Sequence, residues 1–273
     1  MCFAVDACPP ELPQERVRVV AGDAVRAQRL ELISADGTPV SAAVAHAPQA
    51  GPGVVILPDV RGLYPFYERL AERFAQAGHD AIVVDYFART AGLAPRGDDF
   101  DFQPHLSATT LEQVQADIAA AVAVLRRRIG VWPAVAVGFC FGGTHAFLAG
   151  ANRGLDLDAV VGFYGKLSPG RLPRPAALAS SIGVPLLGLF GGDDPSIPAG
   201  EIEEFDTALG RAGVRHQLIT YPNAPHSFFD RSFEEYEEAC SDAWAQVLDF
   251  LVHLPVSASG APATRVPSPD HSW

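Results

Sequence analysis

The sequence predicts a single α/β domain in which helices cover both faces of a mostly parallel central sheet. Three observations predict it. Short continuous apolar runs, such as "GVVILPD" at 53–59 and "AVAVGF" at 134–139, suit strands buried on both faces. These runs alternate with segments whose apolar residues recur at helical spacing, such as "YPFYERLAERFAQAG" ending at Gly78. No shift of composition and no internal repeat divides the 273 residues.

The elements follow in chain order. Residues 1–16 read as an extended, Pro-containing lead-in, 17–254 as the domain and the Pro/Ser/Ala-rich 255–273 as a disordered tail. "RVRVV" and "AQRLELIS" alternate as half-exposed strands, and "PVSAAVAHA" follows the turn Asp36-Gly37. "DAIVVDYF" is the next buried strand after the first helix. Residues 88–110, rich in Gly, Pro and Asp, read as a long connection of the kind that forms a functional loop or lid. Then come a helix at "TLEQVQADIAAAVAVLRRR", the strand "AVAVGF" and a helix at "FGGTHAFLAGA". "DAVVGFYG" and "VPLLGLFGG" are strands, "AGEIEEFDTALGRAG" a helix, "RHQLITYP" a strand and "FEEYEEACSDAWAQVLDFLVHL" the final helix.

Composition narrows the function. A net charge of -12 leaves no basic stripe to neutralise phosphates, which excludes nucleic acid as a partner. Any anionic substrate must be held by a few local cations against the overall field. Lys166 is the only lysine among the 20 basic residues. The four cysteines, Cys2, Cys8, Cys140 and Cys240, show no paired spacing, so no disulfide framework is expected. The N-terminus lacks a signal-peptide pattern and no apolar run reaches membrane-spanning length, so the expectation is a cytoplasmic protein without membrane contact.

The stretch "AVAVGFCFGGTHAFLAG" carries the chemistry. An apolar run ends in a cysteine fenced by glycines and resumes as a helix, the pattern of a nucleophile elbow with a thiol at its tip. Gly138 and Gly142 supply the small neighbours such a turn needs, and Gly143 lets the helix approach the sheet. Cys140 then sits at the N-terminus of that helix, where partial positive charge favours a thiolate. The Phe141 N–H is placed as one oxyanion donor. "LLGLFGGDDPSIP" puts Asp193 and Asp194 just past a strand, with Asp194 favoured as the acid, and "YPNAPHSFFD" puts His226 in the loop after the last strand. Acid then histidine is the order expected after an elbow nucleophile. His145, one turn beyond the nucleophile, reads as a packing or capping residue, and Cys2, Cys8 and Cys240 as non-catalytic.

From about residue 28 to residue 254 the chain resembles the dienelactone hydrolase family of α/β-hydrolases. "GFCFGG", "FGGDDPSIP" and "APHSF" carry the resemblance. It implies the α/β-hydrolase fold, with Cys140, Asp194 and His226 as nucleophile, acid and base; the family's acid stands two residues past the paired glycines, which points to Asp194. The resemblance implies Val60 as the second oxyanion N–H. It also implies that Asp59, where the family has a Glu contacting the thiol, is a candidate to take the thiol proton. The family binds a substrate carboxylate with two arginines. Arg89 in "DYFARTAG" matches one, while Asp230 stands at the other position, leaving Arg61 and Arg231 as possible replacements.

The expected function is a hydrolase acting on ester bonds, carboxymethylenebutenolidase-like, with a small-molecule ester or lactone substrate. A thiolate leaves a tetrahedral adduct more readily than a simple alkoxide. Cys140 therefore suits substrates with a stabilised leaving group, such as enol lactones, enol esters or thioesters. No cofactor and no metal are expected; the run Asp98, Asp99 and Asp101 lacks the pattern of a calcium loop. The expected assembly is a monomer or small homo-oligomer. The rivals are a carboxylesterase or thioesterase with the same three residues, and a non-catalytic binding protein on the same fold.

Overall fold

The computed structural model describes residues 6–18, 25–230 and 234–256. The strands are β1 (Gln28–Ile33), β2 (Pro39–Ala45), β3 (Gly53–Leu57), β4 (Ala81–Val84), β5 (Ala134–Phe139), β6 (Ala159–Phe163), β7 (Leu186–Gly191) and β8 (His216–Tyr221). The helices are α1 (Pro65–Gln76), α2 (Ala88–Ala91), α3 (Phe102–Ala108), α4 (Leu111–Ile129), α5 (Phe141–Ala149), α6 (Ala199–Ala212) and α7 (Glu237–Val252). The strands form one sheet in the order β1-β2-β4-β3-β5-β6-β7-β8. β1 and β2 pair antiparallel, as do β2 and β4, and every later pairing is parallel. This is the mostly parallel α/β sheet that the alternation predicts, and it agrees with the fold the family resemblance implies.

Local chemistry explains the elements. β3, β4, β5 and β6 are buried along their whole length, as central parallel strands must be. In α1, Pro65 presets the first turn, and Phe66, Tyr67, Leu70, Ala71, Phe74 and Ala75 make one apolar stripe. A capping box of Thr110 and Gln113 starts α4. α5 is buried along nearly its whole length and packs on β5 and β6, which fixes the residue at its start against the sheet.

One expectation is revised. The 88–110 connection is not irregular throughout: it holds α2 and α3. Asp101 caps α3 by accepting the Gln103 N–H at 3.2 Å. Between the helices, buried Arg96 pairs with buried Asp85 at 2.7 Å and donates to the carbonyls of Gly92 and Ala94, at 2.6 and 3.0 Å. These bonds give the chain a structure that its turn-rich composition conceals. The described part of the lead-in packs on the domain: Ala7, Cys8 and Leu12 are buried and the Trp244 indole N–H donates to Pro10 O at 3.2 Å. "RVRVV" opens in a 3-10 turn, Gln14–Arg16, and its last residues fall outside those described. So do Cys2, Arg231 and the tail from residue 257. No helix among the described residues is long and apolar enough to cross a membrane.

Candidate active site

β5 ends at Phe139 and α5 begins at Phe141, so Cys140 alone makes the turn, with φ 53° and ψ -110°. Such a backbone costs about 1–3 kcal/mol and persists only where surroundings enforce it. The enforcement is visible at two glycines. A Cβ on Gly138 would stand 2.0 Å from the Gly142 carbonyl oxygen, and one on Gly142 would stand 2.0 Å from the Leu57 oxygen. The Cys140 N–H donates to Phe163 O at 3.0 Å, and the Cys140 carbonyl accepts from Thr144 N–H at 3.1 Å. Three further non-glycine residues of positive φ lie in the loops after β6 and β8: Tyr164 at 37°, Asn223 at 60° and Ser227 at 64°.

Those loops bring the other candidates together. Asp194 lies three residues past β7 and His226 five past β8. The His226 Nδ1 donates to Asp194 Oδ2 at 2.5 Å, which assigns the proton to Nδ1 and leaves Nε2 the basic nitrogen. Asp194 Oδ1 accepts from the Ser196 hydroxyl at 2.6 Å and the Ser196 N–H at 2.9 Å. Burial by itself raises the Asp194 pKa, but the bonds from His226 and Ser196 together outweigh it and hold the carboxyl below its usual range. Asp193 is exposed, and its N–H is spent on the Ala224 carbonyl. The His226 ring lies 5.1 Å from the Tyr164 ring, and Tyr164 directly follows the Phe163 that holds the Cys140 N–H. Ser196 had no signal in the sequence beyond its place two residues after Asp194.

A cleft of about 430 Å³ opens at Cys140. Val60 and Phe141 line it, with Leu106 and Thr109 from the α3 end and Lys166, Arg171 and Leu172 from the loop after β6. The elbow, the loop after β3 and part of the 88–110 segment therefore meet around one cavity.

The charged residues expected at the substrate are placed differently. Both oxygens of buried Asp59 are taken by Arg61, through Nη2 at 2.8 Å, Nε at 3.2 Å and the Arg61 backbone N–H at 2.9 Å. Arg61 also stacks on Tyr64, 4.4 Å from the ring centroid. Arg89 donates to Asp117 at 2.6 Å, Ser34 Oγ at 3.0 Å, Thr38 Oγ1 at 2.8 Å and also to Asp36. Neither Arg61 nor Arg89 lines the cleft. Each finds a carboxylate elsewhere: Arg61 in Asp59, two residues away in the same loop, and Arg89 in Asp36 and Asp117, on elements the sequence does not show to be adjacent. Cys240 is buried, with its thiol donating to Phe228 O at 3.1 Å, and burial pushes that thiol up to about 12. Asp98 accepts from the Tyr64 hydroxyl.

His145 is buried behind the elbow. It packs edge-on against Phe141 at 4.4 Å between centroids, and neither ring nitrogen has a partner among the described residues. Burial lowers its pKa to about 3, so it is a neutral packing ring. Of the two readings, packing or capping, the packing one holds.

Comparison with known proteins agrees with this architecture. Residues 40–254 match the Dienelactone hydrolase family. A Yersinia pestis protein, named provisionally as a carboxymethylenebutenolidase, is 31% identical over 218 residues, covering 77% of this chain and 81% of that one. The crystal structure of a Klebsiella pneumoniae subsp. pneumoniae MGH 78578 protein, named provisionally as a dienelactone hydrolase, superposes with a TM-score of 0.74. It is 28% identical and covers 85% of this chain and 100% of its own. Acylaminoacyl peptidase of Pyrococcus horikoshii shares the fold at 14% identity and a TM-score of 0.70, over 86% of this chain and 43% of its own. With a mostly parallel eight-stranded sheet, a strained strand-to-helix turn and a match over most of its length, the chain is a hydrolase of the dienelactone hydrolase family.

Proposed function

We propose that the protein hydrolyses an enol lactone or a similarly activated carboxylic ester through an acyl-enzyme thioester on Cys140. The observation that carries this reading is the strained turn at Cys140, held by contacts that leave no room for a Cβ on Gly138 or Gly142. A fold keeps such a conformation where it presents a reacting side chain. The His226–Asp194 pair supports the reading, because an ionised carboxylate on Nδ1 orients the ring and stabilises its protonated form.

In the proposed cycle His226 Nε2 accepts the thiol proton as Cys140 Sγ bonds to the acyl carbon. The carbonyl π pair moves to oxygen, where the N–H groups of Val60 and Phe141 receive the oxyanion. Collapse restores the carbonyl and breaks the acyl C–O bond, and the leaving group takes the proton from His226, which frees Nε2 for the second half of the cycle. Water then adds to the thioester carbon while His226 accepts its proton. The C–S bond breaks, the acid is released and the proton returns to sulfur. Asp59 has no part in this cycle, since Arg61 occupies both its oxygens.

A carboxylesterase or thioesterase with the same residues is the second reading, and the apolar lining by Val60, Leu106, Phe141 and Leu172 favours it. A panel of a dienelactone, an aryl ester and an acyl thioester tests both. The lactone reading expects kcat/KM highest for the dienelactone, and a higher value for the neutral aryl ester would favour the alternative.

A further inference from the structure

The cleft at Cys140 carries a charge that the rest of the molecule does not. The chain has a net charge of -12, yet no Asp or Glu lines the cleft, and its two ionised lining residues are Lys166 and Arg171. Neither makes an ion pair with a carboxylate among the described residues. This separates them from Arg61 and Arg89, whose charges are met by Asp59, Asp36 and Asp117.

Both are held where they stand by backbone. The Lys166 carbonyl accepts the Thr144 hydroxyl of α5 at 3.0 Å, which ties the loop after β6 to the helix that begins at the elbow. The exposed Lys166 side chain starts from this tethered backbone and lines the same cleft as Cys140. Arg171 donates from Nη2 to Ser107 O at 3.0 Å and Leu106 O at 3.4 Å, at the C-terminal end of α3. Neutral carbonyls orient the guanidinium without cancelling its charge, and Nη1 and Nε remain for a ligand. Two cations on the wall of a cleft with apolar surfaces focus the local potential against an acidic background.

We propose that Lys166 and Arg171 select the substrate, and that the ester or lactone carries a carboxylate which these residues receive while its acyl carbon lies at Cys140. This rests on the ester-hydrolase reading for the position of the reacting carbon. Lys166 and Arg171 take the part that the family resemblance implied for Arg89 and a second arginine. Lys166 supplies a mobile point charge and Arg171 a planar fork, so the pair tolerates several positions of the carboxylate.

The test compares mono(4-nitrophenyl) glutarate with neutral 4-nitrophenyl butyrate. The readout is the ratio of their kcat/KM values, which cancels any effect common to both esters. The wild type is expected to favour the anionic ester. Lys166→Met and Arg171→Gln are each expected to lower the ratio about three- to tenfold, chiefly through KM, as for partly exposed charge contacts. Lys166→Glu is expected to lower it further, and added salt to lower the wild-type ratio more than that of either neutral variant. Arg211→Gln, an exposed charge on α6 away from the cleft, leaves the ratio unchanged. A ratio insensitive to both cleft substitutions, or equally sensitive to Arg211→Gln, overturns the proposal. Binding of the two esters to Cys140→Ala, read by calorimetry with and without Lys166→Met, gives the same ratio where neither ester is turned over. Undiminished hydrolysis by Cys140→Ala would refute the cysteine reading and leave the charge ratio to be judged on its own.

Discussion

The elbow around Cys140 and the charge cluster around Arg89 are built on opposite principles. At the elbow, backbone presses on backbone: Gly138 against Gly142, and Gly142 against Leu57. Only one residue type fits each position, and the motif is contiguous in sequence. Around Arg89, long side chains choose partners from afar, with Asp117 28 residues away, Ser34 55 and Asp36 53. Any nearby carboxylate would serve. The contrast separates residues fixed by geometry from residues whose roles depend on the whole fold.

Substitutions can break or sharpen this comparison. The largest effect belongs to the geometric side: Asp194→Asn removes the anion on His226 and is expected to lower kcat by about 10³–10⁴ with little change in KM. Steady-state kinetics on an activated ester would show it, and a loss under tenfold would break the assignment of Asp194. Next is Arg89→Leu, which leaves buried Asp117 without its cation. About 3 kcal/mol of stability should be lost in urea unfolding, with kcat/KM nearly unchanged at temperatures where the protein stays folded. A selective rise in KM for the anionic ester would instead return Arg89 to the substrate.

Two smaller effects follow. Neutral, buried His145 and His79 have pKa values lowered to about 3 and about 4 by burial. At these two histidines the unfolded chain binds more protons than the folded one below about pH 6.5, so their contribution to stability falls as pH drops from there. His145→Leu removes about one proton from that difference, so the slope should shrink by about 1.4 kcal/mol per pH unit between 4 and 6. Urea titrations at several pH values would measure it, and an unchanged slope would mean that His145 is protonated in the folded state. Smallest is Ser196→Ala. It deletes the 2.6 Å hydroxyl bond to Asp194 and keeps the backbone one, so about a tenfold fall in kcat is expected. A kcat within twofold of wild type would mean that the Ser196 hydroxyl does not support Asp194.

The same contrast accounts for what the sequence disclosed. The parallel sheet was legible because strands buried on both faces leave continuous apolar runs, and the turn at Cys140 because its glycines are obligatory and adjacent. The meeting of Asp194 with His226 was legible as an order along the chain, though not the support from Ser196. Lys166 and Arg171 carried no signal, since nothing in "YGKLSPGRL" shows that the end of β6 stands beside the elbow. The helices within 88–110 were hidden for a similar reason, because the bonds of Arg96 that organise the turn between them reach Asp85 outside the segment.

The most direct test of the account is an acid-quenched reaction of the wild type with an activated 4-nitrophenyl ester, followed by mass spectrometry of the peptide containing Cys140. A burst of nitrophenol with one acyl group on Cys140, and no burst from Cys140→Ala, is the predicted result. An acyl group on any other residue, or an undiminished burst from Cys140→Ala, would contradict it.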